Sequence, residues 1–435
     1  MHDRTDAIDN QAKSPAPWGS LAIMVSLAVM SMVDRLILAL LVEPLRADLH
    51  LSDVQLGLLF GTAFAFFYAI MGLPLARIAD RRNRVRLVTG AVILWSACTI
   101  LSGLASTFQQ LLVLRAGLAL GEAALFPAVH SLIHDMFEVK HRPLAASIAS
   151  AAPPLGGAIA FIAGGGLVSY LTASVEAGGG GGFKAWQLVF FCVGLLSMFL
   201  GLVFGAVVKE PGRQESHVRE SPQRKVSLRT QKWMFAFLLL AAGTCQILPY
   251  AYQAWAPTLL TDKYGLPIGS AGVTIGIVWA ISSVLGALTL PLLAVRKYDQ
   301  GKPTALALIP LLATVIGASG YLFAPLSSGA FSFLMLVMVG TFSSLGANSV
   351  VLVALQRLAP DQLRATMVAS CLLVSSGLGL GIGPVAVAYL ANRLSQPPSF
   401  DYAMSILAAA AGLITAVLFI LANRQIRITD DLVVR

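Results

Sequence analysis

The sequence predicts an all-α membrane protein with twelve transmembrane helices in two six-helix halves. Of its 435 residues, 57% are hydrophobic and only 12% are charged, far below the roughly 25% of soluble domains. Twelve apolar segments, each long enough to cross a bilayer, follow one another along the chain. One long polar interval, residues 209–232, divides them into two sets of six.

The predicted spans are the apolar runs whose length matches the hydrocarbon core of a bilayer. Their bounds are 18–42, 53–76, 87–106, 110–137, 143–172, 187–208, 233–260, 270–295, 304–325, 329–356, 365–393 and 401–422. The predicted organisation is an N-terminal tail 1–17, an N-terminal half 18–208, a central loop 209–232, a C-terminal half 233–422 and a C-terminal tail 423–435. Two similar Leu-Pro-Leu segments, at 73–75 and 290–292, each precede a basic loop and support two related halves.

The positive charges predict which side of the membrane each loop faces. Because the number of spans is even, both termini lie on one side. The tails and loops on that side hold most of the 30 Lys and Arg residues. The loops on the other side hold only Arg46, Lys184, Lys263 and Arg393. The sequence therefore predicts cytoplasmic termini, in the plasma membrane or, in a bacterium, the inner membrane.

Several other classes of function are disfavoured. The net charge of +9 does not indicate nucleic-acid binding, because the positive residues lie where membrane topology places them. The four cysteines fall inside spans without metal-ligand spacing, and His130 and His134 lack a third ligand, so we expect no metal. The glycine run at 377–384 lies inside a span and indicates close helix packing rather than a dinucleotide site. No ATP-binding loop occurs, so we expect no cofactor.

A basic segment after the second span carries a family resemblance. Ala76 to Val88 reads ARIADRRNRVRLV. It resembles the signature of the major facilitator superfamily, in which a small residue and Ala-Asp-Arg precede a basic cluster, and Asp80, Arg81 and Arg84 fall on the matching positions. Asn83 stands where many members have glycine. The resulting pattern, Asp-Arg-x-Asn-Arg, is similar to that of the Spinster branch.

Three further motifs carry the resemblance, the first two to that branch and the third to the fifth-helix pattern of the superfamily. They are Asp34-Arg35 in the first span, Gly121-Glu122-Ala123 in the fourth, and APPLGG at 152–157 in the fifth. Hexuronate and aromatic-acid permeases share parts of these motifs. The resemblance implies the major facilitator fold and transport by rocking of two halves around a central site. It also implies a cytoplasmic latch made by Asp80, Arg81 and Arg84, in which Asp80 lies against the amino end of the eleventh helix.

Four charged residues fall deep inside predicted spans of the N-terminal half: Asp34, Arg35, Arg115 and Glu122. Left unpaired near the bilayer centre, they would cost roughly 10 kcal/mol together. Arg115 and Glu122 are seven residues apart, nearly two turns, and project from almost the same helix face. We expect one cluster in which Arg115 holds Glu122 or Asp34 ionised, while Arg35 serves only to hold helices together.

This cluster predicts proton coupling through Asp34 and Glu122. An incoming anionic group would compete for Arg115, and the released carboxylate would take up a proton in a poorly hydrated site. The alternative is a permanent ion pair that only joins helices.

The C-terminal half has no ionisable residue at comparable depth, and its polar residues predict the rest of the substrate site. They are Tyr250, Tyr252, Gln253, Trp255 and Asn348. The aromatic residues have an alternative interpretation as an interfacial belt. Charge in one half and aromatic surface in the other suit an amphipathic solute.

The predicted function is proton-driven secondary transport of a lipid-like or amphipathic organic anion. The resemblance implies lysolipids or sphingolipid phosphates as the model substrates, because eukaryotic members of the branch move them. The alternatives are an organic-anion, hexuronate or drug permease of the same fold, or a non-transporting membrane receptor. No nucleophile, base and orienting residue occur together, so we do not expect an enzyme. We expect a monomer surrounded by membrane lipids, with the proton gradient as its energy source.

Overall fold

A computed structural model describes residues 17–212, 228–394 and 399–434. Within those ranges the chain is helical without strands, and twelve helices are long and apolar enough to cross a membrane. They are Pro17–Leu40, Asp53–Ala79, Arg84–Ser102, Phe108–Met136, Arg142–Glu176, Ala185–Val207, Gln231–Asp262, Ile268–Asp299, Ala305–Phe323, Ala330–Leu358, Thr366–Leu394 and Phe400–Thr429. The predicted fold class is confirmed. The N-terminal tail and most of the central loop lie outside the described residues.

The spans are referred to here by their order, and spans one to six and seven to twelve as the N-terminal and C-terminal halves. Because successive spans run in opposite directions, both chain ends lie at one end of the helix bundle, the proximal end. The opposite end is the distal end. Many large apolar side chains on the outside of the bundle are exposed, among them Leu292, Phe331 and Leu413, as expected for a surface in contact with lipid.

Four spans are interrupted near the middle of the bundle. The first changes to a 3₁₀ helix, the second contains a π-helical turn, and the fourth and seventh are each divided into two helices. The interruptions fall at Ile37–Leu40, Leu58–Thr62, residues 123–124 and residue 246. Helix ends leave backbone groups without intrahelical partners. Polar side chains at these positions therefore have nearby backbone groups to bind.

The two halves meet closely toward the distal end. A Cβ on Gly272 of the eighth span would lie 2.6 Å from the carbonyl oxygen of Phe161, and one on Gly165 would lie 3.2 Å from that of Gly269. The second span contacts the eleventh in the same way, because a Cβ on Gly61 would lie 1.9 Å from the oxygen of Leu380. Such contacts require glycine, whose missing side chain lets two backbones approach.

The glycine run in the eleventh span allows close helix packing, as predicted, and the structure shows that its partner is the seventh span. A Cβ on Gly379 would lie 2.7 Å from the side chains of Gln246 and Tyr250, and one on Gly383 would lie 2.5 Å from the oxygen of Ile247. The eleventh span is therefore held against the segment that carries the polar residues of the C-terminal half.

Candidate functional site

The structure pairs Glu122 with Arg35. Arg35 Nη2 donates to Glu122 Oε2 at 2.5 Å, and the Ser31 hydroxyl donates to the same oxygen at 2.9 Å. Glu122 is fully buried, and its other oxygen, Oε1, has no hydrogen-bond partner within the described residues. A buried ion pair of this kind is stable only while both partners remain.

Both ends of this ion pair lie where a helix ends. The α-helix of the first span ends at Leu36, one residue after Arg35, and the first helix of the fourth span ends at Glu122. A cation is favoured at the carboxyl end of a helix, where free carbonyl groups concentrate negative charge. That effect stabilises Arg35 and leaves Glu122 dependent on Arg35 and Ser31.

Asp34 is buried, and its carboxylate binds hydroxyl groups rather than Arg35 or Arg115. Its two carboxylate oxygens accept hydrogen bonds from two hydroxyl groups, Thr99 at 2.8 Å and Ser197 at 2.7 Å. These partners come from the third and sixth spans. Asp34 therefore joins three spans of one half, and each of its oxygens has a donor.

Arg115 does not have the carboxylate partner that the sequence predicted. Its Nη1 donates to the backbone carbonyl of Asp34 at 3.2 Å, and its Nη2 has no hydrogen-bond partner within the described residues. The physical reason is the spacing on the fourth span: seven residues correspond to a rise of roughly 10 Å, so Arg115 lies two turns from Glu122. The ion-pair role predicted for Arg115 belongs to Arg35.

Arg35 faces a narrow space between the two halves. The wall includes Tyr250 and Gln253 of the seventh span, opposite Arg35, and is otherwise apolar, with Phe60 and Leu380 among its residues. The space is about 10 Å³, close to the minimum that holds one water molecule. A larger ligand can enter only if the halves move apart.

Two aromatic rings of the second span cover the guanidinium of Arg35. The Arg35 Cζ lies 4.1 Å from the ring centre of Phe64 and 5.6 Å from that of Tyr68. Cation–π contacts favour the guanidinium in a dry environment. Arg35 therefore has two kinds of partner, the carboxylate of Glu122 and the aromatic faces.

The other predicted residues of the C-terminal half lie outside this space. The Tyr252 hydroxyl donates to the backbone oxygen of Tyr321, and both rings are fully buried with their centres 4.3 Å apart. Trp255 Nε1 donates to the Pro384 oxygen at 2.9 Å. Asn348 Oδ1 accepts from Ser375 at 3.1 Å, which joins the tenth span to the eleventh.

These positions decide between the two interpretations of the aromatic residues. Tyr252 and Trp255 are both fully buried, so the interfacial-belt interpretation is wrong for them. Trp255 instead packs across the boundary between the halves, with its ring centre 5.6 Å from that of Phe60. Of the three aromatic residues predicted for the substrate site, Tyr250 is the one that faces Arg35.

The structure also changes the role of Arg84. Its guanidinium is buried and donates to Asp135, to Ser131 Oγ at 2.9 Å and to Glu210 Oε1 at 2.8 Å. All three lie in the N-terminal half or directly after its last span. Arg84 therefore joins parts of one half instead of latching two halves.

The rest of the latch stays a prediction. Arg81 is exposed at the end of its helix. The side chain of Asp80 lies outside the described part of the structure, as do those of Asp361 and Gln362, which begin the helix Asp361–Leu394 that contains the eleventh span.

Sequence reasoning missed the hydroxyl donors. Ser31, Thr99 and Ser197 are buried in three different spans, and each donates to a buried carboxylate. A lone hydroxyl in an apolar helix usually bonds to the carbonyl four residues earlier, as Ser102 does with Cys98. Nothing in the sequence distinguishes a hydroxyl that donates to a buried carboxylate from one that donates to a carbonyl of its own helix.

The sequence and the fold match a known family. A family model described as the Major Facilitator Superfamily matches residues 23–384. An MFS-type efflux pump of Mycolicibacterium smegmatis is 28% identical, over 97% of this chain and 96% of its own length. A hexuronate transporter of Bacillus subtilis is 23% identical over 59% of this chain and 59% of its own.

A solved structure shows a likeness of fold over nearly the whole chain. It is a bacterial homologue of the human lysosomal transporter Spinster, in an inward-facing and unoccupied conformation. The two structures agree with a TM-score of 0.79 at 23% sequence identity, over 96% of this chain and 98% of that one. The predicted resemblance to the Spinster branch is confirmed at the level of the fold.

Proposed function

This chain belongs to the Major Facilitator Superfamily, and we propose that it is a proton-coupled transporter of an amphipathic organic anion. The observation that carries the proposal is the buried Arg35–Glu122 pair, which faces Tyr250 and Gln253 across the space between the halves. One cation and one amide in an otherwise apolar and aromatic wall suit a ligand with an anionic group on an apolar body.

The coupling follows from the competition for Arg35. An anionic group that enters the space binds the Arg35 guanidinium and draws it away from Glu122. The carboxylate then keeps only the Ser31 hydroxyl. A carboxylate without a counter-charge in a dry site is favoured in its protonated form. Substrate binding and proton uptake therefore occur together.

Asp34 is the second acid, and we assign it a supporting role. Its hydroxyl partners remain when Arg35 moves, because they come from other spans. The bond from Arg115 to the Asp34 carbonyl fixes the end of the helix that carries Arg35. We therefore assign anion binding to Arg35 and positioning to Arg115.

The positive-inside rule supports cytoplasmic termini, and with them an integral position in the plasma or inner membrane. On that assignment the closely packed distal end is the outer end of the transporter.

Ligand binding distinguishes the candidate substrates. Purified full-length protein is heated with palmitoyl lysophosphatidate, decanoate or glucuronate, because a ligand that binds the folded state raises its melting temperature. The proposal expects stabilisation by the two amphipathic anions and none by glucuronate. Stabilisation by glucuronate alone would favour a hexuronate-type permease instead.

Transport is then measured with the anion that binds. Proteoliposomes under an imposed pH gradient should accumulate the radiolabelled anion, and collapse of the gradient should abolish accumulation. Glu122→Gln should retain exchange of labelled for unlabelled anion and lose accumulation. Binding without any flux in the wild type would identify a receptor and contradict the proposal.

A further inference from the structure

A second cavity lies on the outer face of the C-terminal half, between the eighth, ninth and tenth spans. Its volume is about 420 Å³, and its walls are almost entirely apolar, with Leu285, Leu293, Ile316 and Phe342 among them. Leu285 and Ile316 are about half exposed, so the cavity opens sideways from the bundle. It is referred to below as the lateral groove.

Close helix packing creates this groove. A Cβ on Gly286 of the eighth span would lie 2.2 Å from the Phe342 oxygen, and one on Gly317 of the ninth would lie 2.8 Å from the Ser343 Cβ. The eighth and ninth spans both pack closely on the tenth and little on each other. The groove is the space that this arrangement leaves between them.

The residues at the proximal end of the groove are positively charged. Arg296 follows Leu285 by eleven residues, close to three full turns, so it lies on the same face of the eighth span as the groove. Lys297 and Lys302 follow at the end of that helix and in the short connection to the ninth span. Across the described ranges, no carboxylate lies within salt-bridge distance of these three cations, and nearby Asp299 binds Arg357 at 3.3 Å.

We propose that the lateral groove binds one acyl chain of an anionic phospholipid from the proximal leaflet. The headgroup phosphate is held by Arg296, Lys297 and Lys302. The groove opens within the membrane-spanning part of the bundle, where lipid hydrocarbon is the surrounding medium. Leu293 is only about 4.5 Å from Arg296 along the helix axis, so one lipid can reach both the groove and the cations. Basic residues near the membrane surface attract anionic headgroups.

Lipid titration of the full-length protein tests this site. Native mass spectrometry counts bound phosphatidylglycerol and phosphatidylcholine with identical chains, added to the delipidated protein. Glycerol phosphate serves as the headgroup alone. We expect wild-type protein to bind phosphatidylglycerol more tightly than phosphatidylcholine, and glycerol phosphate to compete with neither.

Two variants, each with a matched control, distinguish the contribution of the cations to lipid binding from that of the apolar groove. Arg296→Gln with Lys297→Gln should weaken phosphatidylglycerol binding about thirtyfold, at roughly 1 kcal/mol per cation, and leave phosphatidylcholine unchanged. The matched control replaces Arg424 and Arg427, two exposed proximal arginines of the twelfth helix. Ile316→Trp should fill the groove and remove one bound lipid of either kind. Ile414→Trp, with a similar exposure of 53% against 56%, is its control.

Three results would overturn the proposal. The first is equal binding of the two lipids by the wild type. The second is a lipid count that Ile316→Trp leaves unchanged, or that each control lowers as much as its paired variant. The third is a change of oligomeric mass with Ile316→Trp at constant lipid count, which would assign the groove to a second copy of the chain.

Discussion

The two halves of this transporter have related helical frames but very different interiors. Among the described residues, all of the buried charged side chains lie in the N-terminal half: Asp34, Arg35, Arg84, Arg115 and Glu122. The buried polar groups of the C-terminal half are hydroxyls and amides. Many of these bind within their own half, as Tyr252 does with Tyr321.

This difference indicates that the two halves have different roles in transport. Charges buried in an apolar interior respond to protons and to incoming ions, because their free energy depends strongly on the local counter-charge. Neutral groups with internal partners respond to neither. We therefore expect the N-terminal half to sense the proton and the anionic group, and the C-terminal half to supply a surface that the substrate body contacts.

The largest expected effect comes from breaking the ion pair of the N-terminal half. Arg35→Gln leaves the Glu122 carboxylate buried without a counter-charge, a loss that typically costs about 3 to 5 kcal/mol. We expect a large drop in melting temperature and loss of anion binding. The double variant Arg35→Gln with Glu122→Gln should recover most of the stability but none of the binding. A double variant as unstable as the single one would show that the two residues are not coupled.

A somewhat smaller effect is expected at Arg115, which separates positioning from binding. Arg115→Gln removes a charged donor from the Asp34 carbonyl, worth about 1.5 to 3 kcal/mol. Stability should fall while the affinity for the anion, measured on the folded protein, changes little. A loss of anion affinity greater than tenfold would show that Arg115 belongs to the anion-binding site.

The next effect concerns the boundary between the halves rather than either interior. Gly61→Ala places a Cβ 1.9 Å from the Leu380 oxygen, and overpacking of this kind typically costs about 1 to 3 kcal/mol. We expect the distal ends to separate. Gly72→Ala, in the same span with open space around it, is the control.

Spin labels measure this separation. Cysteines replace Phe183 and Leu326, two exposed distal residues of the two halves, and the exposed native Cys192 is replaced by Ser. Distances between the labels should lengthen in Gly61→Ala and remain unchanged in Gly72→Ala. Identical distributions in all three proteins would show that this contact does not hold the distal end closed.

The smallest effect is expected in the C-terminal half and contrasts two tyrosines. Tyr252→Phe removes one buried hydrogen bond, worth about 1 kcal/mol of stability, and should leave anion affinity unchanged. Tyr250→Phe should leave stability unchanged and lower affinity, because Tyr250 lines the space beside Arg35. Calorimetric binding and thermal melting of the two variants test the contrast, which fails if both behave alike.

The sequence was sufficient for the fold and for the presence of a buried ionic cluster. In a bilayer, a long apolar run satisfies its backbone hydrogen bonds by forming a transmembrane helix. The twelve spans could therefore be identified from the sequence directly. The family resemblance and the cost of buried charge identified Asp34, Arg35, Arg115 and Glu122 as residues that must find partners.

The pairing within the cluster could not be read from the sequence. Helical spacing placed Arg115 and Glu122 on one face but said nothing of the first span, whose α-helix gives way to a 3₁₀ helix at Ile37. Asp34 and Arg35 lie in the α-helix before that change, where successive side chains point about 100° apart. Asp34 therefore reaches hydroxyl groups of the third and sixth spans, while Arg35 reaches Glu122 of the fourth.

The central claim is that protonation of Glu122 is coupled to movement of the halves. Its most direct test is the pH dependence of the distance between spin labels at the proximal ends, on cysteines that replace exposed Val139 and Gln300 in the Cys192→Ser background. Between pH 5.5 and 8.5 the wild-type distribution should shift, the Asp34→Asn distribution should shift as well, and Glu122→Gln should give one distribution throughout. A Glu122→Gln protein whose distances follow pH as the wild type does would contradict the claim.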